Sequence, residues 1–243
     1  MIRSTCLLAA LTATVAVAQE TEVRGCHNDS SSDRAKSTNA VVFWNEVADR
    51  SIAVLGGKRP ELGLVEAAIV HTAIYEAVNA ICGYRFKPYA VAPKVRHPAL
   101  AEAGAAAAAH DVLVGLYPDQ RAELDQKYAA FLATIPGHFW AKLNGIVAGQ
   151  QAAAGILKLR VNDGRNAGTP WNPPPPGPGI WEPTPPGYLP PSAPWVRAVT
   201  PWTMSSPSQF RVPPPPGLGS ELWMHDYTET KAYGGSISTV RAS

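Results

Sequence analysis

Residues 61–81 read ELGLVEAAIVHTAIYEAVNAI. Leu62, Val65, Ile69 and Ala73 fall on one apolar stripe of a helix with 3.6 residues per turn, and Leu64, Ala68, Ile74, Val78 and Ile81 fall on a second. Only a narrow polar line remains, at Thr72, Glu76 and Asn79. A helix that is apolar on most sides needs neighbours to cover it, so the stretch predicts the centre of a helical bundle.

The flanks supply the neighbours. Upstream, Thr38 or Asn39 can cap a helix to about Leu55, with Val41, Trp44, Ala48 and Ile52 near one face and Gly56-Gly57 as its end. Downstream of a loop from Pro88 to Pro98, a helix from about Ala99 to Leu116 contains the run Ala105 to Ala109. Alanine forms helix best, and its small side chain lets a neighbour come close, so the run predicts a packing surface. Tyr117-Pro118 ends that helix and opens another, whose stripe is Leu124, Tyr128, Phe131, Leu132 and Ile135; Pro136-Gly137 breaks it. A longer helix runs from about His138 to Asn162, with Trp140, Leu143, Val147, Ala154 and Leu157 on its expected apolar side. Gly145 and Gly149 lie one turn apart on it, where each glycine costs about 1 kcal/mol against alanine, and this spacing predicts close backbone contact with a neighbour. Gly164 is a C-cap candidate, and Ser220 can cap a last helix to about Tyr233. Five or six helices and no strand pattern define an all-α fold, read as one domain over residues 38–243.

Between the last two helices lies a cord, residues 166–219, holding most of the chain's 24 prolines and four of its seven tryptophans, Trp171, Trp181, Trp195 and Trp202. A disordered linker is poor in aromatic residues, because a segment that buries little apolar surface cannot offset its ordering entropy. The cord is therefore expected to be an ordered Pro/Trp-rich loop laid on the helical body, with a tether displaying proline motifs as the alternative.

Residues 1–18 have the form of a secretory signal peptide: Arg3 is the positive start, Leu7 to Val17 is an apolar run too short to cross a bilayer, and Ala16-Val17-Ala18 is a small-residue cleavage pattern. Export to the extracellular space is the expectation. Residues 19–37 are polar, serine-rich and aperiodic, a flexible N-terminus in which Asn28-Asp29-Ser30 is an N-glycosylation acceptor. Loss of the signal removes Cys6 and leaves Cys26 and Cys82 as a candidate disulfide; a buried free thiol at Cys82 is the competing reading. The formal charge of +2 is spread without a basic run, which argues against nucleic acid and against an anionic membrane surface as partners.

The chain holds no glycine-rich phosphate loop, no histidine pair at metal spacing, no cysteine pairs at zinc spacing and no serine in a nucleophile elbow. His71 sits alone in an apolar helix and reads as a structural histidine, hydrogen-bonded in the core. His110-Asp111 suggests a catalytic dyad, but adjacent helix positions point about a hundred degrees apart, so the pair is read as structural. From its residues alone the chain supports no catalytic, cofactor-binding or metal-binding assignment.

A resemblance adds to this. Glu66 to Ile81 resembles the second helix of vanadium-dependent haloperoxidase-like proteins, in the type 2 phosphatidic acid phosphatase superfamily. The order of later features is similar too: an alanine-rich helix ending Gly115-Leu116-Tyr117-Pro118, then Ile135-Pro136, Gly145-Ile146 and Gly149, and Asn162-Asp163-Gly164. The cord continues the likeness through Pro178-Gly179-Ile180-Trp181-Glu182-Pro183-Thr184-Pro185-Pro186, Pro194-Trp195, Val199-Thr200-Pro201-Trp202 and Ser208-Gln209-Phe210-Arg211 before Pro213 to Pro216. The resemblance implies a helical bundle that in complete members holds vanadate and uses hydrogen peroxide to oxidise a halide. Such an oxyanion needs Lys and Arg donors, backbone amides and a histidine on the metal. In the family these come as a lysine followed at a distance by Arg-Pro, a Ser-Gly-His, and a later arginine and histidine. None is found here: Pro136-Gly137-His138 lacks the serine and reads as a helix junction, and Lys58-Arg59-Pro60 has the wrong spacing. Ser238 to Ser243 resembles the lead-in to the family's next helix.

The expectation is thus an incomplete, N-terminal half of a haloperoxidase-like protein, inactive alone, with no cofactor of its own and with exposed apolar surface open to homo-oligomerisation or association. The alternatives are a non-catalytic secreted interaction module and a phosphatase-related member of the same superfamily.

Overall fold

The computed structural model describes residues 39–235, 237–238 and 240. The signal-peptide, flexible-terminus, Cys26 and Asn28 readings therefore lie outside the described residues. Six α-helices and no strand occur among the described residues: α1 (Ala40–Asp49), α2 (Pro60–Ile81), α3 (Ala101–Leu116), α4 (Arg121–Thr134), α5 (Phe139–Arg160) and α6 (Glu221–Gly234). The fold is all-α. The described residues divide into two compact units, one of residues 39–57 and 67–157, the other of residues 58–66, 158–235, 237–238 and 240.

In the first unit, the Asn39 side-chain oxygen accepts from the N–H groups of Val41 and Val42 at 2.9 and 3.3 Å, satisfying two of the four donors a helix start leaves free. After Asp49 the helix widens into a π-helical turn, Arg50–Leu55, closed at Gly56 by its N–H to the Ser51 carbonyl. Trp44, Ala48 and Ile52 of the expected stripe are buried, joined by Ala40 and Val47, whereas Val41 is 43% exposed.

The most enclosed helix is α3 rather than the expected α2. Every residue from Ala103 to His110 is buried, as are Val112, Leu113 and Val114. Its alanines leave no side chain to hold neighbours off: α1 and α4 pack on it, Ile81 of α2 lies against Gly104, and α5 approaches along Gly145 and Gly149. A Cβ on Gly149 would lie 2.7 Å from the Ala107 Cβ and 2.9 Å from the Ala108 nitrogen, and nearer still to the Gly104 carbonyl. The backbone contact expected from the glycine spacing is present.

That seam also corrects the expected face of α5. Ala141, Ala148, Ala152, Ala153 and Ile156 are buried, while Trp140 is 68% and Val147 43% exposed. Against an alanine face the small side chains win, because they alone allow backbone-to-backbone approach.

The polar line of α2 turns inward as well. Glu76 is fully buried and Asn79 nearly so, and both serve the loop after the helix. One Glu76 carboxylate oxygen accepts the N–H groups of Ala90 and Val91 at 2.6 and 2.8 Å. Asn79 exchanges two hydrogen bonds with Phe86, and Tyr75 donates its hydroxyl to the Lys87 carbonyl at 2.8 Å. A loop without helix or strand has its backbone groups satisfied here by side chains of α2, as buried polar groups require. Helix α2 is also long and apolar enough, by length and composition, to cross a membrane, with 56% of the relevant window buried. Cys82, at its end, is disulfide-bonded, which removes the free-thiol reading.

In the second unit, the cord has no regular element apart from a 3₁₀ turn at Pro194–Ala198. Its rings are less buried than expected: Trp171 and Trp181 pack edge to face on each other at 5.8 Å and remain 42% and 49% exposed. The Ser220 hydroxyl caps α6 by accepting the Trp223 N–H, and none of the residues of α6 is buried.

Candidate functional site

Three clusters of polar or titratable side chains stand out. The most enclosed surrounds His110 in the first unit. Its ring is bracketed by two carboxylates: Nδ1 lies 2.7 Å from Asp111 Oδ1 on its own helix, and Nε2 lies 2.7 Å from Asp125 Oδ1 on α4. Tyr128, one turn beyond Asp125, stacks its ring on the imidazole at 4.4 Å and 17°, and Trp44 of α1 meets the same ring edge-on at 6.4 Å. The sequence argument against a His110–Asp111 contact is overturned. Cβ directions a hundred degrees apart do separate long side chains, but Nδ1 sits close to the backbone and a short aspartate reaches it.

Burial works against a charge on His110, but the hydrogen bonds and negative charges of Asp111 and Asp125 outweigh it and raise the imidazole pKa above its ordinary value. Two carboxylate oxygens at 2.7 Å ask for two N–H donors, which only the imidazolium supplies. Burial, and then the charge on Asp111, push the Tyr128 hydroxyl up to about 12, so it is neutral across the physiological range. The Tyr128 hydroxyl and the Trp44 indole N–H are buried without a hydrogen-bond partner. While it is protonated, His110 has no lone pair for a substrate proton and no free N–H for a substrate oxygen. The cluster joins α3 and α4 through His110 and Asp125.

The second cluster centres on Asp163. Arg160 donates Nε to one carboxylate oxygen at 3.0 Å, and Arg165 pairs with the other, also at 3.0 Å. Arg160 donates Nη2 to the Thr200 carbonyl at 3.0 Å, and the Thr200 N–H returns to the Asp163 carbonyl at 2.7 Å. The Arg165 guanidinium also bonds the Arg160 carbonyl, and Arg160 lies 4.0 Å under the Trp202 ring. Between them Gly164 takes φ +88° and sits so close to the Ala198 carbonyl that no Cβ fits. One buried carboxylate thus fixes two arginines and ties the end of α5 to the cord 40 residues later.

The third cluster is on α6, where His225, Asp226 and Glu229 bring ligating atoms within 4.8 Å of one another. All three are exposed on a single helix, which provides no enclosing coordination shell.

The other candidates read from the sequence, where they lie in described residues, fall outside these clusters. His71 bonds Asn45 through Nε2 at 2.9 Å but is only half-buried, so it is a structural histidine near the surface rather than in the core. Pro136-Gly137-His138 is the junction before α5, with Gly137 at φ +121°, and Pro60 of Lys58-Arg59-Pro60 is the first residue of α2. Sequence reasoning misses the roles of Asp125, Tyr128, Asp163 and Glu76. The one signal it offers is weak: Asp125 and Tyr128 share a face at i, i+3. No protein-family model matches the chain, and no curated protein or solved structure is significantly similar to it.

Proposed function

We propose that this chain is a secreted helical scaffold of the haloperoxidase-like type, which binds no vanadate and carries out no halide oxidation by itself. One observation carries the inactivity: each buried cation among the described residues is already matched to carboxylate. His110 lies between Asp111 and Asp125, and Arg160 and its neighbour Arg165 are held by Asp163. An oxyanion with several negative oxygens needs cationic donors free to converge on it, and these are committed. The same requirement applies to phosphate, so the phosphatase-related reading is disfavoured on the same ground. The order of motifs along α2 to α5 and the cord supports the family, and the disulfide at Cys82 supports an oxidising compartment. Calorimetric titration of the purified chain with orthovanadate, with peroxide-dependent bromide oxidation measured in parallel, tests this: neither binding nor turnover is expected, and stoichiometric vanadate binding overturns it.

A second reading, a secreted interaction module, draws on α6. That helix buries none of its residues and exposes Leu222, Met224, Tyr227 and Tyr233. Self-association is its expected consequence. Analytical ultracentrifugation, comparing the chain with Leu222→Ser/Tyr227→Ser, tests it: an association lost in the variant supports docking through α6, and a parent chain monomeric at all concentrations removes this reading.

A further inference from the structure

The His110 cluster joins two helices through one titratable ring. Asp111 lies on α3 with His110, whereas Asp125 and Tyr128 come from α4; Asp111 and Asp125 are the charged groups that act on the ring, and Trp44 of α1, which meets it edge-on, does not titrate. The ring is enclosed, its side chain 9% exposed, while Asp125 is 53% exposed.

We propose that His110 is a pH-operated latch between α3 and α4, closed when the imidazole is protonated and released when it is not. In the closed form each ring N–H donates to a carboxylate, giving two charge-assisted hydrogen bonds, one of which spans the helix pair. Deprotonation leaves one N–H for two carboxylates. The nitrogen that loses its proton then presents a lone pair to an anionic oxygen at 2.7 Å, so attraction becomes repulsion on that side. The Asp111 side stays within α3, so the bond that can separate is the one to Asp125, and α4 is the element that moves. No co-reactant is required, since the proton goes to solvent past the half-exposed Asp125.

The direction follows from linkage. The folded-state pKa is raised, so the latch stabilises the helix pair fully below the unfolded histidine value, near 6.5, and that stabilisation is lost as pH rises through the folded value. The window therefore lies on the alkaline side of an ordinary histidine.

The test uses the full chain and two NMR readouts between about pH 5.5 and about pH 9, bracketing the ordinary histidine range. The His110 ring nitrogens are titrated by long-range proton–nitrogen correlation, and the same titration in urea gives the unfolded reference. Amide exchange of α4, corrected for intrinsic base catalysis, is followed in parallel. The expected result is that both ring nitrogens carry protons to a higher pH than in the unfolded chain, and that α4 protection falls across the same transition. In Asp125→Asn the transition moves to lower pH, and in His110→Gln the pH step in α4 protection is lost. Should His110→Gln not fold, Asp125→Asn carries the comparison. His110 titrating at or below its unfolded value, or α4 protection unchanged while His110 titrates, overturns the latch.

Discussion

Adding a single methyl group at Gly149 should destabilise this protein although it improves the helix. In isolation, Gly→Ala in a helix interior is favourable by about 1 kcal/mol. Here the added Cβ would lie 2.7 Å from the Ala107 Cβ and 2.9 Å from the Ala108 nitrogen, with the Gly104 carbonyl closer still. Carbon contacts are comfortable at roughly 3.5 Å or more, so α5 must retreat from α3 by about 1 Å. The obstacles are backbone atoms and the Cβ of a buried alanine, and no rotamer change relieves them. Retreat also opens gaps along Ala148, Ala152 and Ala153, which are buried in the same unit. Overpacking costs about 1–3 kcal/mol, and the absence of a flexible neighbour places Gly149 at the upper end. The net expectation for Gly149→Ala is a loss of about 2 kcal/mol, or roughly 4–8 °C in Tm for a chain of this size. Gly115→Ala is the control: its nearest neighbours are the terminal methyls of Leu157, at 2.7 and 3.3 Å, which can rotate away, so packing and propensity should nearly cancel. Guanidinium unfolding followed by far-ultraviolet circular dichroism measures both. If Gly149→Ala proves as stable as the parent chain, the seam between α3 and α5 is not a close backbone contact.

Three further substitutions probe the other clusters. Asp163→Ala leaves Arg160 and Arg165 without their carboxylate in a buried setting, and a loss of about 3–5 kcal/mol is expected, with faster proteolysis within residues 166–219; unchanged proteolysis refutes the tie between α5 and the cord. Tyr128→Phe removes a buried hydroxyl that has no partner, so stability should hold or rise by up to about 1 kcal/mol, and a clear drop in the denaturant midpoint would mean that the hydroxyl is bonded after all. Glu76→Gln keeps the shape but weakens two charge-assisted bonds to Ala90 and Val91; about 1 kcal/mol should be lost, with the extra amide exchange appearing in residues 84–94 rather than in α4.

Local chemistry makes much of this fold legible in advance. Gly164 lies beyond Arg160, where α5 ends, and does not cap it, but Asn39 and Ser220 cap their helices, Gly56 closes the π-helical turn after α1, and the spacing of Gly145 and Gly149 announces the α3/α5 seam. These depend on backbone groups within a turn or so, which sequence specifies directly. The facing of helices is less legible. A hydrophobicity pattern assigns Trp140 and Val147 to the inside of α5, but which side is buried depends on the partner, and an alanine surface selects alanine and glycine. The polar line of α2 carries no sign of its partner for a related reason: nothing local tells that a loop with unsatisfied N–H groups folds over Glu76 and Asn79. At His110 the sequence offers the histidine and one aspartate, whereas the second aspartate, which occupies the remaining nitrogen, comes from another helix.

The cord shows why composition alone overstates burial. Its tryptophans are expected to order it by packing into a body, yet Trp171 and Trp181 use mainly each other and Trp202 lies on the Arg160 guanidinium. Order in such a segment needs less buried area than usual, because each proline fixes φ in the unfolded chain as well and so reduces the entropy lost on folding. What remains is to fix where the cord lies, and a few specific contacts suffice: the Asp163 carboxylate with its two arginines, the Thr200 exchange, and a glycine at position 164 that lets the Ala198 carbonyl come close. The prolines limit the conformations, and the buried ion cluster selects among them. The half-exposed rings are then not what holds the cord, so replacing Trp181 should change its surface far more than its stability, whereas replacing Asp163 should do the reverse.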